Sequence, residues 1–112
     1  MRLINRSQIP DTGVSHDPLI SKKVFIENGR IPKLTNFSQS RIKPGQYCPS
    51  HQHPDMWEVY LVESGNGEMI LDGKEVPLSE GDCLIVDPGE DHSMQNSSST
   101  VDLLLTYFGI EQ

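Results

Sequence analysis

Short runs of β-forming residues recur along the chain between turn signals, and helical periodicity is almost absent. Residues 23–26, 35–42, 58–63, 68–71, 83–86 and 101–108 each read as a strand. Asn28-Gly29, Asn66-Gly67 and Asp72-Gly73 supply the positive-φ residues that tight hairpin turns require. Many short strands with this punctuation predict an all-β sandwich or barrel. Residues 1–22 carry Pro10, Gly13 and Pro18 with little periodicity, and are expected to form an arm, ordered only where it packs, ahead of a β domain over residues 23–112. His16, within that arm and beside Asp17-Pro18, reads as a solvated or capping residue.

Length and charge narrow the function. A chain of 112 residues has room for one domain and one modest core. Its formal net charge of −7 argues against a protein that neutralises nucleic-acid phosphates. The first residues contain no continuous apolar stretch of the secretory kind, and no run is long enough to span a bilayer, so a soluble, cytoplasmic protein is expected. Cys48 and Cys83 are too few and too far apart for a disulfide framework and read as reduced thiols, with Cys48 close in sequence to His51.

The chemistry concentrates in two stretches. In the first, His51 and His53 are two positions apart, so on a strand both imidazoles leave the same face and can converge on one ion. Glu58 lies an odd number of positions beyond His53, and an unbroken strand would turn it to the opposite face. Pro54-Asp55 resolves this conflict, because a proline removes a ladder donor and a turn there restarts the strand with Glu58 facing inward. The second stretch, from Gly81 to Asn96, places His92 after a short strand and the Pro88-Gly89 turn, where it completes a set of four donors.

These stretches resemble the paired motifs of the cupin superfamily. The first matches G-x5-H-x-H-x4-E-x6-G through Gly45, His51, His53, Glu58 and Gly65. The second resembles G-x5-P-x-G-x2-H-x3-N through Gly81, Gly89, His92 and Asn96, departing where Asp87 stands at the motif proline and Pro88 follows it. The resemblance implies a double-stranded β-helix, or jelly-roll barrel, holding one divalent transition metal ion inside on His51, His53, Glu58 and His92. It also implies pairing into a homodimer.

Nitrogen and oxygen donors without thiolate suit iron, manganese, nickel, cobalt, copper or zinc. Three neutral imidazoles and one carboxylate leave a divalent ion with a formal charge of about +1, which favours a small, oxygenated and anionic ligand. Tyr60 shares the inward phase of Glu58, and Met94 that of His92, so both are candidate pocket walls. Gln39 and Arg41 share a strand face that could orient an anion. Trp57 is expected opposite Glu58, packed between sheets, and Asn96 is expected to support a turn. Two function classes fit: a metal-dependent enzyme of the dioxygenase or isomerase type, and a non-catalytic module that binds or senses a small molecule or a metal.

Overall fold

Alternation along each strand decides which side chains meet in the interior. The computed structural model describes residues 1–14 and 17–112, and His16 lies outside them. Among the described residues a short 3-10 turn, Arg6–Gln8, precedes ten strands: β1 (Thr12–Val14), β2 (Asp17–Ile26), β3 (Phe37–Ile42), β4 (Tyr47–His51), β5 (Met56–Ser64), β6 (Asn66–Leu71), β7 (Lys74–Ser79), β8 (Cys83–Val86), β9 (His92–Gln95) and β10 (Leu103–Glu111). They form a six-stranded sheet in the order β1-β2-β3-β10-β5-β8 and a four-stranded sheet in the order β4-β9-β6-β7. Every pairing is antiparallel, and the two sheets close on each other as a jelly-roll barrel.

The inward phase is read from burial. Ser38, Ser40 and Ile42 of β3, Glu58, Tyr60 and Val62 of β5, and Leu103 and Leu105 of β10 are all buried, with exposed or half-buried residues between them. Met69, Leu78 and Met94 answer from the smaller sheet. Ile20, Ile42, Met69, Met94 and Leu105 belong to this apolar core and also line a cavity of about 300 Å³ between the sheets. The apolar core therefore also forms part of the cavity wall.

Several boundaries differ from the sequence expectation. Strand β2 begins at Asp17, six residues before the expected start, so part of the segment read as an arm lies in the main sheet, with Lys22 opposite Ser40. Strands β1, β4, β7 and β9 were not anticipated as separate elements. Asp72-Gly73 does form the β6–β7 turn, with φ of 47° and 79°. Asn66-Gly67 does not form a turn: both residues are in β6, and the positive φ of 84° falls on Gly65. Gly67 serves close packing instead, since a Cβ there would lie 2.5 Å from Leu103 Cδ2 and 2.7 Å from the Gln95 carbonyl oxygen.

Asn96 is 1% exposed and ties the following loop to the barrel. Its Nδ2 donates to the Ile42 and Val101 carbonyls at 2.9 and 2.8 Å, and its Oδ1 accepts the Ser98 N–H at 3.0 Å. Both amide hydrogens and one acceptor position of the oxygen are thus spent on turn support, as expected. Trp57 points away from Glu58 but is not sandwiched between sheets. It is 37% exposed on the outer face of the larger sheet, opposite Ile110 of β10.

Candidate metal centre

His51 ends β4 and pairs across the smaller sheet with His92, the first residue of β9, with ring centroids 4.2 Å apart. The register slips between Cys48 and His51, around Pro49, which cannot donate to the ladder. His53 lies beyond the end of β4, so its approach to His51, at 5.1 Å between ring centroids, comes from the connecting loop and not from strand alternation. That loop is held by the Gly89 N–H, which donates to the His53 carbonyl at 2.8 Å. The Pro88-Gly89 turn therefore links the two motif stretches, and with Asp87 at the motif proline it is closed by the Glu90 N–H, which donates to the Asp87 carbonyl at 3.2 Å. Residues 54 and 55 turn, β5 restarts at Met56, and Glu58 faces inward, as the phase argument requires.

The four side chains meet from both sheets. Glu58 Oε1 is 2.8 Å from His92 Nε2, 3.3 Å from His53 Nε2 and 4.0 Å from His51 Nε2. One donor atom from each of the four residues lies within 4.8 Å of all the others. Donors at ~2.1 Å from an octahedral ion sit about 3 Å apart when adjacent and about 4.2 Å apart when opposite. The Glu58 Oε1 separations of 2.8–4.0 Å lie close to those spacings, and this set could hold one metal ion.

Surrounding contacts aim the donors inward. His92 Nδ1 faces the Glu90 carbonyl at 2.9 Å and His51 Nδ1 faces that of Pro49 at 3.1 Å, which assigns the Nδ1 protons to the backbone and leaves both Nε2 atoms for the centre. Tyr60 O–H donates to Glu58 Oε2 at 3.1 Å, so Oε1 is the carboxylate oxygen left to the imidazoles. Burial pushes the Glu58 pKa up, but the His92 hydrogen bond and charge, with His53 and Tyr60, outweigh it and hold the carboxyl below its usual range. Burial likewise works against a charged His92, yet the Glu58 and Glu90 contacts raise its pKa. Burial raises Tyr60 well above the ordinary phenol value and, partly opposed by the Ser40 hydrogen bond, pushes Tyr107 up to about 12. Both phenols stay protonated donors.

Of the expected pocket residues, Tyr60 and Met94 line the cavity with the four candidate ligands. Gln39 and Arg41 do not. Because Ser38, Ser40 and Ile42 take the inward phase of β3, those two lie on the outer face, where Arg41 pairs with Asp102 at 3.1 Å and Gln39 bonds Thr106 and Arg6 at 3.2 Å each. Other wall residues were not singled out in the sequence as pocket candidates, among them Lys22, Ser40 and Tyr107; Cys48, noted there for lying close to His51, also lines the cavity. Alternation from Leu103 and Leu105 signals that Tyr107 faces inward. Nothing local signals Lys22. Tyr107 stacks on Tyr60 with centroids 5.3 Å apart, and its hydroxyl meets that of Ser40 at 2.8 Å.

Residues 38–108 match the family model described as Cupin domain. The chain is 32% identical over 82 residues to an oxalate-binding protein of Thermotoga maritima, across 73% of this chain and 64% of that protein. The match thus spans just under two thirds of the relative's length. A crystal structure of a predicted oxalate decarboxylase from Thermotoga maritima superposes with a TM-score of 0.90 at 24% identity, covering 99% of this chain and 100% of the other. A sugar phosphate isomerase of the cupin superfamily from Silicibacter pomeroyi gives 0.82 at 17% identity, covering 99% and 76%. At those identities the structural likeness speaks for the fold alone.

Proposed function

The chain belongs to the cupin family, and from that premise we propose that it is a metal-dependent protein whose ion, held by His51, His53, Glu58 and His92, receives a small oxygenated anion. The observation that carries this reading is the convergence of four donor atoms within 4.8 Å of one another on the wall of a cavity of about 300 Å³. A bound divalent transition metal supplies Lewis acidity and, if redox-active, a site for dioxygen. The protein's part is to fix the donors, through Tyr60 and the backbone carbonyls of Pro49 and Glu90, and to shape a half-open cavity beside them.

The use we propose for the anion is turnover of the dioxygenase or isomerase type. A second reading, binding without turnover, is supported by the oxalate-binding relative. It is also supported by the chemistry of the wall, where Tyr60 and Tyr107 are held neutral and neither is poised to take up a proton near neutral pH. The reading further includes a cytoplasmic location, in keeping with the reduced Cys48 and Cys83, and a homodimer. Pairing is supported by the outer face of the larger sheet. There Phe25 meets Phe37 at 5.7 Å between centroids and Phe37 stacks on Phe108 at 6.1 Å, with Trp57, Leu61, Ile85 and Ile110 exposed on the same sheet.

The test is spectroscopic. Cobalt-substituted protein, titrated with glycolate or oxalate, should change its visible absorption as the anion reaches the ion. Unchanged spectra across such acids, with cobalt confirmed in place, would overturn the reading. Oxygen consumption and product analysis with iron- or manganese-loaded protein then separate the two uses across hydroxy- and keto-acids, diketones and phenolics. A ligand recovered intact from every incubation assigns the protein to binding.

A further inference from the structure

Strand β2 carries two adjacent lysines with opposite environments. Lys23 faces outward, donating to the Ile9 carbonyl at 2.6 Å and pairing with Asp11 at 3.4 Å. Lys22, set opposite Ser40 on the inner face, reaches into the cavity that holds the four candidate ligands. Among the described residues its ammonium has no hydrogen bond and no ion pair. Burial lowers its pKa, and the one charged group acting against that loss is Glu58, which draws it back up. A half-buried cation without a partner is costly, and such groups are retained where something else completes them.

The surroundings specify what that partner is. Ser40 and Tyr107 share one hydrogen between their hydroxyls, so one hydroxyl hydrogen is left to donate. Glu111, the other acid of the lining, is exposed, so among the described residues Glu58 is the one buried carboxylate that lines the cavity. With a divalent ion on the four ligands, the formal interior charge is that of the ion less Glu58 plus Lys22, about +2. A monoanion leaves half of this unmatched, and a dianion cancels it. The volume of about 300 Å³ admits an acid of a few carbons but not an extended chain.

We propose that Lys22 makes this cavity a dianion site, taking the far carboxylate oxygens of a short dicarboxylate whose near carboxylate faces His51, His53, Glu58 and His92. This rests on the metal-and-anion reading above and adds to it the ligand class and the residue that selects it.

Calorimetric titration of the manganese-loaded protein with malonate and with glycolate tests the assignment, with metal content measured in every sample. The parent should bind malonate more tightly than glycolate. Lys22→Met should lose about ten- to a hundredfold in malonate affinity, the worth of a hydrogen bond to a charged group, with a smaller loss for glycolate and metal content unchanged. Lys22→Gln should behave as Lys22→Met does, and Lys22→Arg should keep the preference for malonate. Equal malonate affinity in the parent and a neutral variant, or a parent that prefers glycolate, would overturn the assignment of Lys22 alone. A loaded parent that binds neither anion would overturn the underlying reading as well.

Discussion

Truncating any one imidazole at the centre removes a donor that no neighbour can replace. His51→Ala, His53→Ala and His92→Ala should each lower metal content sharply while circular dichroism keeps its β signature, because the core rests on residues such as Leu103, Val62 and Met69 and not on the ion. Metal content equal to the parent's in all three variants would remove the site assignment. Tyr60→Phe is gentler: it keeps the stacked ring and deletes the donor to Glu58 Oε2, and should weaken metal binding by about 10–100-fold in a chelator competition. Proton competition gives a pH signature. His92 is raised, so in the metal-free protein it holds its proton to higher pH than a free imidazole, and metal content should fall as pH drops from neutral toward 5. Metal-free stability follows another course. A raised His92 stabilises the fold below the ordinary value of 6.5, and that contribution disappears as pH rises through its shifted pKa. A lowered Glu58 stabilises above 4.5, and its contribution disappears as pH falls through its shifted pKa. The pair therefore helps the metal-free fold most between 4.5 and 6.5, and thermal melts of Glu58→Gln should lack that rise.

Strands differ in how openly they advertise themselves. Glu58, Tyr60 and Val62, or Leu103, Leu105 and Tyr107, show period-two alternation wherever one face is buried, and those strands were legible. Lys74–Ser79 carries two charges and Pro77 at the edge of the smaller sheet, and His92–Gln95 is four residues long, so neither has a pattern long enough to read. The four candidate ligands were legible for a different reason, since spacing and turn chemistry are local. Lys22 was not, because its membership of the wall depends on the β2–β3 register, a non-local pairing. The mistaken Asn66-Gly67 turn gives a prediction at this scale. Gly67→Ala should destabilise the protein by roughly 1–3 kcal/mol through overpacking against Leu103, whereas Gly73→Ala meets no atom within 4 Å and is strained only by its backbone. Denaturant melts that leave Gly67→Ala as stable as the parent would contradict the close-packing role.

On the scale of the whole molecule, the proposed pairing would use the apolar outer face of the larger sheet. Sedimentation at micromolar concentration should give a dimer, and Ile85→Glu or Trp57→Glu, each placing a charge on an exposed position of that face, should shift it to monomer with metal content retained. A parent that sediments as a monomer would remove the pairing. Within one barrel, Glu58 comes from the six-stranded sheet, whereas His51 and His92 come from the four-stranded one. An ion seated among them would act as a rivet through the two halves of a clamshell, and prising the halves apart would require breaking coordination bonds. Loaded barrels should consequently resist proteases that cut transiently opened protein, and their melting temperature should climb with free metal, by an amount equivalent to about 2.7 kcal/mol at a hundredfold excess over the dissociation constant. The same fastening would make a chelator behave as a denaturant of low potency, loosening the halves without touching the apolar packing beneath.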